Sequence, residues 1–258
     1  MNKLIKKTKA AIKILKEKDL KKFWRAILGN IRLLFKIFYL KIFKSSVIKN
    51  LKDFSADNFS EIFDFADVKF FRNIKPMQVR SEFLNLLDIC REQKPKTILE
   101  IGTANGGALF CFCKLAPDDG TIISIDLTGG NFGGGYPKWK TPIYQAFKKE
   151  NQKLYLLRED SHKQETLDKL KNILQSRKID FLFIDGDHSY FGVKKDFEMY
   201  SFLVKRGGIV AFHDIVQGAE QEVGGVHVFW KEIKGNYKNE EIIKDKEQKG
   251  AGIGIIYK

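Results

Sequence analysis

The strongest constraint on this chain is an alternation that begins near residue 78, where short β-type runs are separated by stretches of helical length and pattern. Strands are expected at Thr97–Ile101, Thr121–Asp126, Leu154–Leu157, Phe181–Asp185 and Gly208–Phe212, with a terminal pair near Glu241–Ile243 and Gly252–Tyr257. Between them, Gln78–Glu92, Ala108–Leu115, Gln164–Ser176 and Tyr190–Val204 have helical lengths and faces. That order predicts an α/β fold whose sheet is mostly parallel and covered on both faces. In open sheets of this kind ligands sit beyond the carboxyl ends of the strands, where the strand order reverses. The chemistry is therefore expected just after each strand.

The first strand runs into Gly102-Thr103-Ala104-Asn105-Gly106-Gly107. Glycines there permit a sharp turn and close approach to a ligand, but the Gly-x-Gly-x-x-Gly spacing of a pyrophosphate site is missing. Glu100 places a negative charge on that strand, suited to a ligand carrying an amino group or a sulfonium rather than a diphosphate. Asp126 ends the second strand, positioned to accept hydrogen bonds from ribose hydroxyls, and Glu159-Asp160-Ser161 after the third is placed to meet an adenine edge. Asp185 closes the fourth strand and His213-Asp214 the fifth, so two carboxylates and an imidazole converge at neighbouring strand ends. Oxygen-rich ligation with one imidazole suits magnesium or a similar divalent cation. The plainer reading is that His213 caps its strand and Asp214 begins a turn.

Charge is distributed unevenly. Residues 1–50 hold 15 Lys/Arg against Glu17 and Asp19, a balance of +13, which leaves +1 of the total +14 for the rest of the chain. A nucleic-acid surface wrapped around the fold is thereby disfavoured, and nucleic acid ranks below the other partners. Trp24, Ile27, Leu28, Ile31, Leu34, Phe35, Phe38 and Ile42 follow a three-or-four-residue step, and Leu4, Ala11, Ile12 and Leu15 make a weaker stripe before them. Lysines interrupt the start of the chain where a cleaved signal would be apolar, and Asn30, Arg32, Lys36 and Lys41 interrupt the later window, so neither a signal nor a spanning helix is expected. The arm is read as residues 1–60 and the second domain as 61–258. Residues 1–50 could rest on an anionic membrane surface, on the domain itself or on a second subunit in a homo-oligomer. Cys90, Cys111 and Cys113 fit neither a disulfide framework nor a zinc site; they read as buried apolar residues in a cytoplasmic setting, peripheral to the inner membrane face if the arm binds lipid.

Taken together, Leu99-Glu100-Ile101-Gly102 through Gly107, Ser124-Ile125-Asp126 through Tyr136, Asp160-Ser161-His162, Phe183-Ile184-Asp185-Gly186-Asp187-His188-Ser189-Tyr190 and Ala211-Phe212-His213-Asp214-Ile215 resemble class I S-adenosylmethionine-dependent methyltransferases, nearest to the cephalosporin hydroxylase-like branch. The resemblance runs from about Gln78 to Lys258 and omits the first sixty or so residues. It implies a Rossmann-like methyltransferase fold with a seven-stranded sheet and an antiparallel last strand, preceded by the basic helical arm. It also implies cofactor contacts from Glu100, Gly102, Asn105, Gly106, Asp126, Asp160 and Ser161, and a divalent cation held by Asp185, His213 and Asp214. Related metal-dependent enzymes often have Asp where this chain has His213.

The expected activity is cation-assisted O-methylation of a hydroxyl on a small molecule or glycan acceptor. His188 is the candidate base, because an imidazole titrates near neutral pH, with Asp187 as competitor and loop orientation as the plainer role. Asp185 joins them as the third catalytic candidate. The alternatives are an NAD-dependent sugar oxidoreductase and a non-catalytic membrane-associated adaptor. The glycine-rich run around Phe132 is read as a hinge over the cofactor or a set of tight turns. Trp230 is read as core more than substrate mouth, and Lys194, Lys195 and Asp196 as an exposed helix face.

Overall fold

The computed structural model describes residues 20–129 and 134–258, and contacts divide the chain into two units, Met1–Ile48 and Lys49–Lys258. The stripe near Leu4 and Leu15, and Phe132 in the glycine-rich run, lie outside the described residues. In the first unit, α1 (Leu20–Ile42) is a helix of 23 residues. Its apolar stripe is exposed, including Leu28, Ile31, Leu34, Phe38 and Ile42. No helix among the described residues is long and apolar enough to cross a membrane. Helix α2 (Lys44–Asp53) follows.

The second unit continues with α3 (Phe59–Arg72), whose N-cap Asn58 accepts from the Glu61 amide at 2.9 Å while donating to the Glu61 carboxylate, a reciprocal capping box. Helix α3 runs across position 60, so residues expected in the arm share an element with the second unit. Next come α4 (Arg80–Gln93), β1 (Thr97–Ile101), α5 (Gly107–Leu115), β2 (Thr121–Ile125), α6 (Thr141–Gln145), β3 (Lys153–Leu157), α7 (Gln164–Leu174) and β4 (Ile179–Ile184). The chain ends through α8 (Tyr190–Tyr200), β5 (Val204–His213), α9 (Glu220–Val223), α10 (Val226–Ile233), β6 (Lys238–Ile242) and β7 (Ile253–Tyr257).

The seven strands lie in the order β3-β2-β1-β4-β5-β7-β6. Pairings from β3 to β5 are parallel, and β7 is antiparallel to both of its neighbours. Strand order reverses between β1 and β4, which fixes the crevice at their carboxyl ends. Two differently built faces hold the sheet. Leu99, Ile123, Leu182 and Phe212 pack with Leu170 of α7, Phe197 and Tyr200 of α8, and Phe229 and Trp230 of α10. The opposite face is aromatic, with Phe83 of α4 and Phe112 of α5 within 6.2 Å of the Phe183 ring. Trp230 is fully buried and donates to Glu241, as the core reading expects.

Element ends differ from the sequence reading in informative ways. Asp126 and Asp185 sit one residue beyond their strands rather than inside them, and β5 starts at Val204, where a helix was expected to end. Asp196 corrects a further expectation: it is fully buried, not part of an exposed face. Helical periodicity gives the reason, since Asp196 shares its face with Val193 and Tyr200, both core residues.

Candidate active site

A cavity of about 310 Å³ opens at the carboxyl ends of β1 to β4, walled by Gly102, Asp126, Asp160, Ser161, His162, Gly186 and Asp187. Gly102 is required there. Its φ is +99° and a Cβ would lie 1.9 Å from the Asp185 carbonyl oxygen, so the turn after β1 packs directly on the turn after β4. Gly106 also has a left-handed backbone and caps α5, while the Asn105 amide donates to the Met77 sulfur beside a small pocket continuous with Asp185.

Asp126 organises the cavity wall. Its carboxylate accepts from the Thr103 and Ala104 amides at 3.2 and 2.8 Å and from the Gly135 amide at 3.0 Å, joining the turn after β1 to the far end of the glycine-rich run. Burial pushes its carboxyl up while these backbone donors oppose the shift. Beyond Gly135, Tyr136 is buried and the Arg158 guanidinium donates to its carbonyl at 2.9 Å. After β3, the Ser161 carbonyl accepts from the Tyr200 hydroxyl at 2.6 Å, and the Asp160 carboxylate accepts from the His162 amide at 2.9 Å.

Glu100 does not reach this wall. Side chains alternate along β1, so Leu99 and Ile101 enter one core while Glu100 points to the aromatic face, opposite Ser124 and Phe183 in the register. Burial raises its carboxyl well above the usual carboxylate range, more than the Ser124 hydroxyl offsets by donating to it. The negative charge expected from the sequence is therefore not presented to a ligand. A group that holds its proton more tightly when folded makes stability fall as pH rises above its unfolded value. Glu100→Gln is accordingly expected to keep unfolding free energy within about 1 kcal/mol of the parent near pH 5 and to gain on it toward pH 8. Denaturant titrations across that range measure the difference.

The ends of β4 and β5 bring together two carboxylates and two imidazoles. Asp185 Oδ1 lies 3.1 Å from His213 Nδ1 and 3.3 Å from His188 Nε2, and its Oδ2 accepts from Gln78 Nε2 at 2.7 Å. Asp214 Oδ2 lies 3.1 Å from His188 Nδ1 and 3.4 Å from His213 Nδ1. Burial alone would raise the Asp185 carboxyl, but the His213 and His188 imidazoles hold it well below the carboxylate range. For His213, Asp185 and Asp214 overcome burial and raise the imidazole. Ligand atoms of Asp185, His188 and Asp214 all lie within 4.8 Å of one another, a spacing that a divalent cation fits. His213 completes the cluster, though its Nδ1 is turned toward both carboxylates and its buried Nε2 has no hydrogen-bond partner among the described residues.

Three supporting residues escape the sequence reading. Gln78 reads in the sequence only as the start of a helix. Glu82, buried on α4, accepts from the Lys244 and Gly252 amides and the Gln248 side chain at 2.7 to 3.0 Å. The neighbouring Ala251 amide donates to Asp214 Oδ1 at 3.1 Å, so the β6–β7 loop is tied at once to α4 and to the reactive cluster. Asp214 and Ala251 both adopt left-handed backbone, with φ of 65° and 57°. Asp196 lies 3.2 Å from His162 Nε2 and raises that cavity-lining imidazole. A Glu or Asp set within an apolar helical stripe was the available signal in both cases.

Residues 99–215 match a family described as a methyltransferase domain. The sheet order and this match agree on a Rossmann-like methyltransferase fold. Among solved structures, it is similar to the O-methyltransferase TomG from Streptomyces achromogenes in complex with SAM, at 16% identity over 83% of this chain and 96% of that one, with a TM-score of 0.52. The O-methyltransferase from Bacillus cereus in complex with SAH is similar at 15% identity, covering 86% of this chain and all of that one, with a TM-score of 0.51. CalS11, a TDP-rhamnose 3'-O-methyltransferase, is similar at 18% identity over 83% of this chain and 92% of its own, with a TM-score of 0.52. An uncharacterized protein of Sinorhizobium fredii is 29% identical over 143 residues, 54% of this chain; the match spans only 15% of that relative's length. The match favours methyl transfer over the oxidoreductase reading.

Proposed function

We propose that this methyltransferase transfers a methyl group from S-adenosylmethionine to a hydroxyl oxygen, with help from a divalent cation, on a sugar, glycan or small-molecule acceptor. The observation that carries the reading is the cluster of Asp185, His188, His213 and Asp214 directly beside the Asp126 cavity. The turn at Gly102, Asn105 and Gly106 would admit the cofactor, Asp126 would take its ribose hydroxyls, and Asp160 with Ser161 would meet its adenine edge. Asp126 already accepts three backbone donors, yet a carboxylate has about four acceptor positions, leaving room for a hydroxyl. Glu100 would act from behind the wall through Ser124, which also meets Thr103 in the cofactor turn.

Asp185 and Asp214, with His188 or His213 as the nitrogen ligand, would hold the cation. Bound there, such an ion lowers the pKa of a coordinated hydroxyl. Where His213 supplies the nitrogen ligand, His188, whose ring lies 3.3 Å from Asp185 and 3.1 Å from Asp214, is the proposed proton acceptor. Asp187, exposed on the cavity wall and accepting from the Ser189 amide, is the competing base. The TDP-rhamnose substrate of CalS11 supports a sugar as acceptor class.

The test is calorimetry with S-adenosylhomocysteine, followed by transfer of labelled methyl from S-adenosylmethionine to nucleotide-activated deoxysugars, with and without a chelator. Binding of the cofactor product and chelator-sensitive transfer to a hydroxyl are expected. No binding of the product overturns the whole reading; chelator-resistant transfer overturns the cation.

A further inference from the structure

We propose that α1 docks in the plane of an anionic lipid surface, independently of the chemistry at the strand ends. The helix carries two faces that water satisfies poorly together. Along one, Leu28, Ile31, Leu34, Phe38 and Ile42 are between 48% and 58% exposed. Arg32 and Lys36 fall off that stripe, and the helix holds six basic residues and no acidic residue.

Charge selects the occupant. The alternating three- and four-residue steps of Leu28, Ile31, Phe35, Phe38 and Ile42 would also suit a seam between two helices. A second copy, however, would bring a helix with the same all-basic flanks alongside the first, without one carboxylate on either to pair with them. RNA would engage the basic face and leave the apolar stripe in water. A lipid interface takes both: the stripe enters the acyl boundary while the lysines and arginines remain among anionic headgroups. The basic residues, distributed along the whole helix, also agree with an in-plane rather than a spanning arrangement.

The experiment uses the full chain and sedimentation with phosphatidylcholine vesicles, with or without phosphatidylglycerol. Binding is expected only with phosphatidylglycerol, and about tenfold or more weaker when ionic strength is raised from low to physiological. Leu28→Gln, Ile31→Gln and Phe38→Gln together are expected to lower partitioning by about a hundredfold or more. Glutamine is compatible with the helix, and circular dichroism checks that the fold is retained. A second variant, Arg32→Glu with Lys36→Glu, keeps the stripe and is expected to abolish the preference for phosphatidylglycerol. Absence of vesicle binding, equal binding of the parent chain to both vesicle types, undiminished binding by the stripe variant, or an undiminished preference for phosphatidylglycerol in the charge variant overturns the proposal. So does a dimer in light scattering that the stripe variant dissolves, if the parent chain ignores vesicles; that result assigns the stripe to a second copy.

Discussion

Asp185→Asn is expected to lower methyl transfer by about a thousandfold or more while leaving S-adenosylhomocysteine affinity within about threefold. The separation follows from position. Asp185 contributes its backbone to the turn that packs on Gly102, and the substitution preserves that packing. Its side chain faces the other way in chemical terms, receiving Gln78 on one oxygen and two imidazoles near the other. Asparagine keeps the shape but removes the charge, and its amide nitrogen must confront either the Gln78 amide or the imidazoles. Two basic groups then share Asp214 alone, and the proposed cation would lose one of its two carboxylates. Steady-state kinetics paired with product calorimetry reads both quantities. Equal loss of binding and turnover would make Asp185 a folding residue instead.

Asp126→Ala is expected to show the reverse pattern, weakening S-adenosylhomocysteine binding by about a hundredfold or more and lowering the unfolding temperature. Three backbone donors lose their common acceptor, and each buried donor left unsatisfied costs about 1–3 kcal/mol when water cannot replace the partner. Solvent entering through the open cavity would reduce that cost, so the binding defect should exceed the stability defect. Asp126→Asn retains one carbonyl acceptor and is expected to fall between the parent and the alanine variant. Calorimetry and thermal unfolding on the same preparations test the order; tight product binding by Asp126→Ala would remove Asp126 from the cofactor wall.

Parallel topology makes much of this architecture readable in the sequence. Once Thr97–Ile101 is a strand followed by a helix, the rule that ligands gather at carboxyl ends brings Asp126, Asp160, Asp185 and Asp214 toward one crevice, although distant in sequence. Glu100 was harder. Every residue of β1 is buried, so alternation carries no polarity signal to tell which face looks toward the cavity. Glu82 and Asp196 were harder still, because their roles depend on partners from other elements. Nothing in the spacing of α4 shows that Lys244, Gln248 and Gly252 will return to Glu82, and nothing in α8 shows that His162 will come to rest beside Asp196. Such contacts arise from packing after the strand order has been set.

The insertion of β7 between β5 and β6 has a consequence for biosynthesis. The ribosome delivers β7 after both of the strands it must separate, so β5 presents an unpaired edge of Ile209, Val210, Ala211 and Phe212 while the rest of the domain is being made. An open apolar edge is a template for wrong pairing, and the hazard lasts until β7 arrives. The wall around Asp126 draws only on earlier residues, whereas the clamp from Ala251 onto Asp214 emerges with the final hairpin. A nascent chain halted before Ile253 would thus have its Asp126 wall encoded in full but present a naked strand to its neighbours.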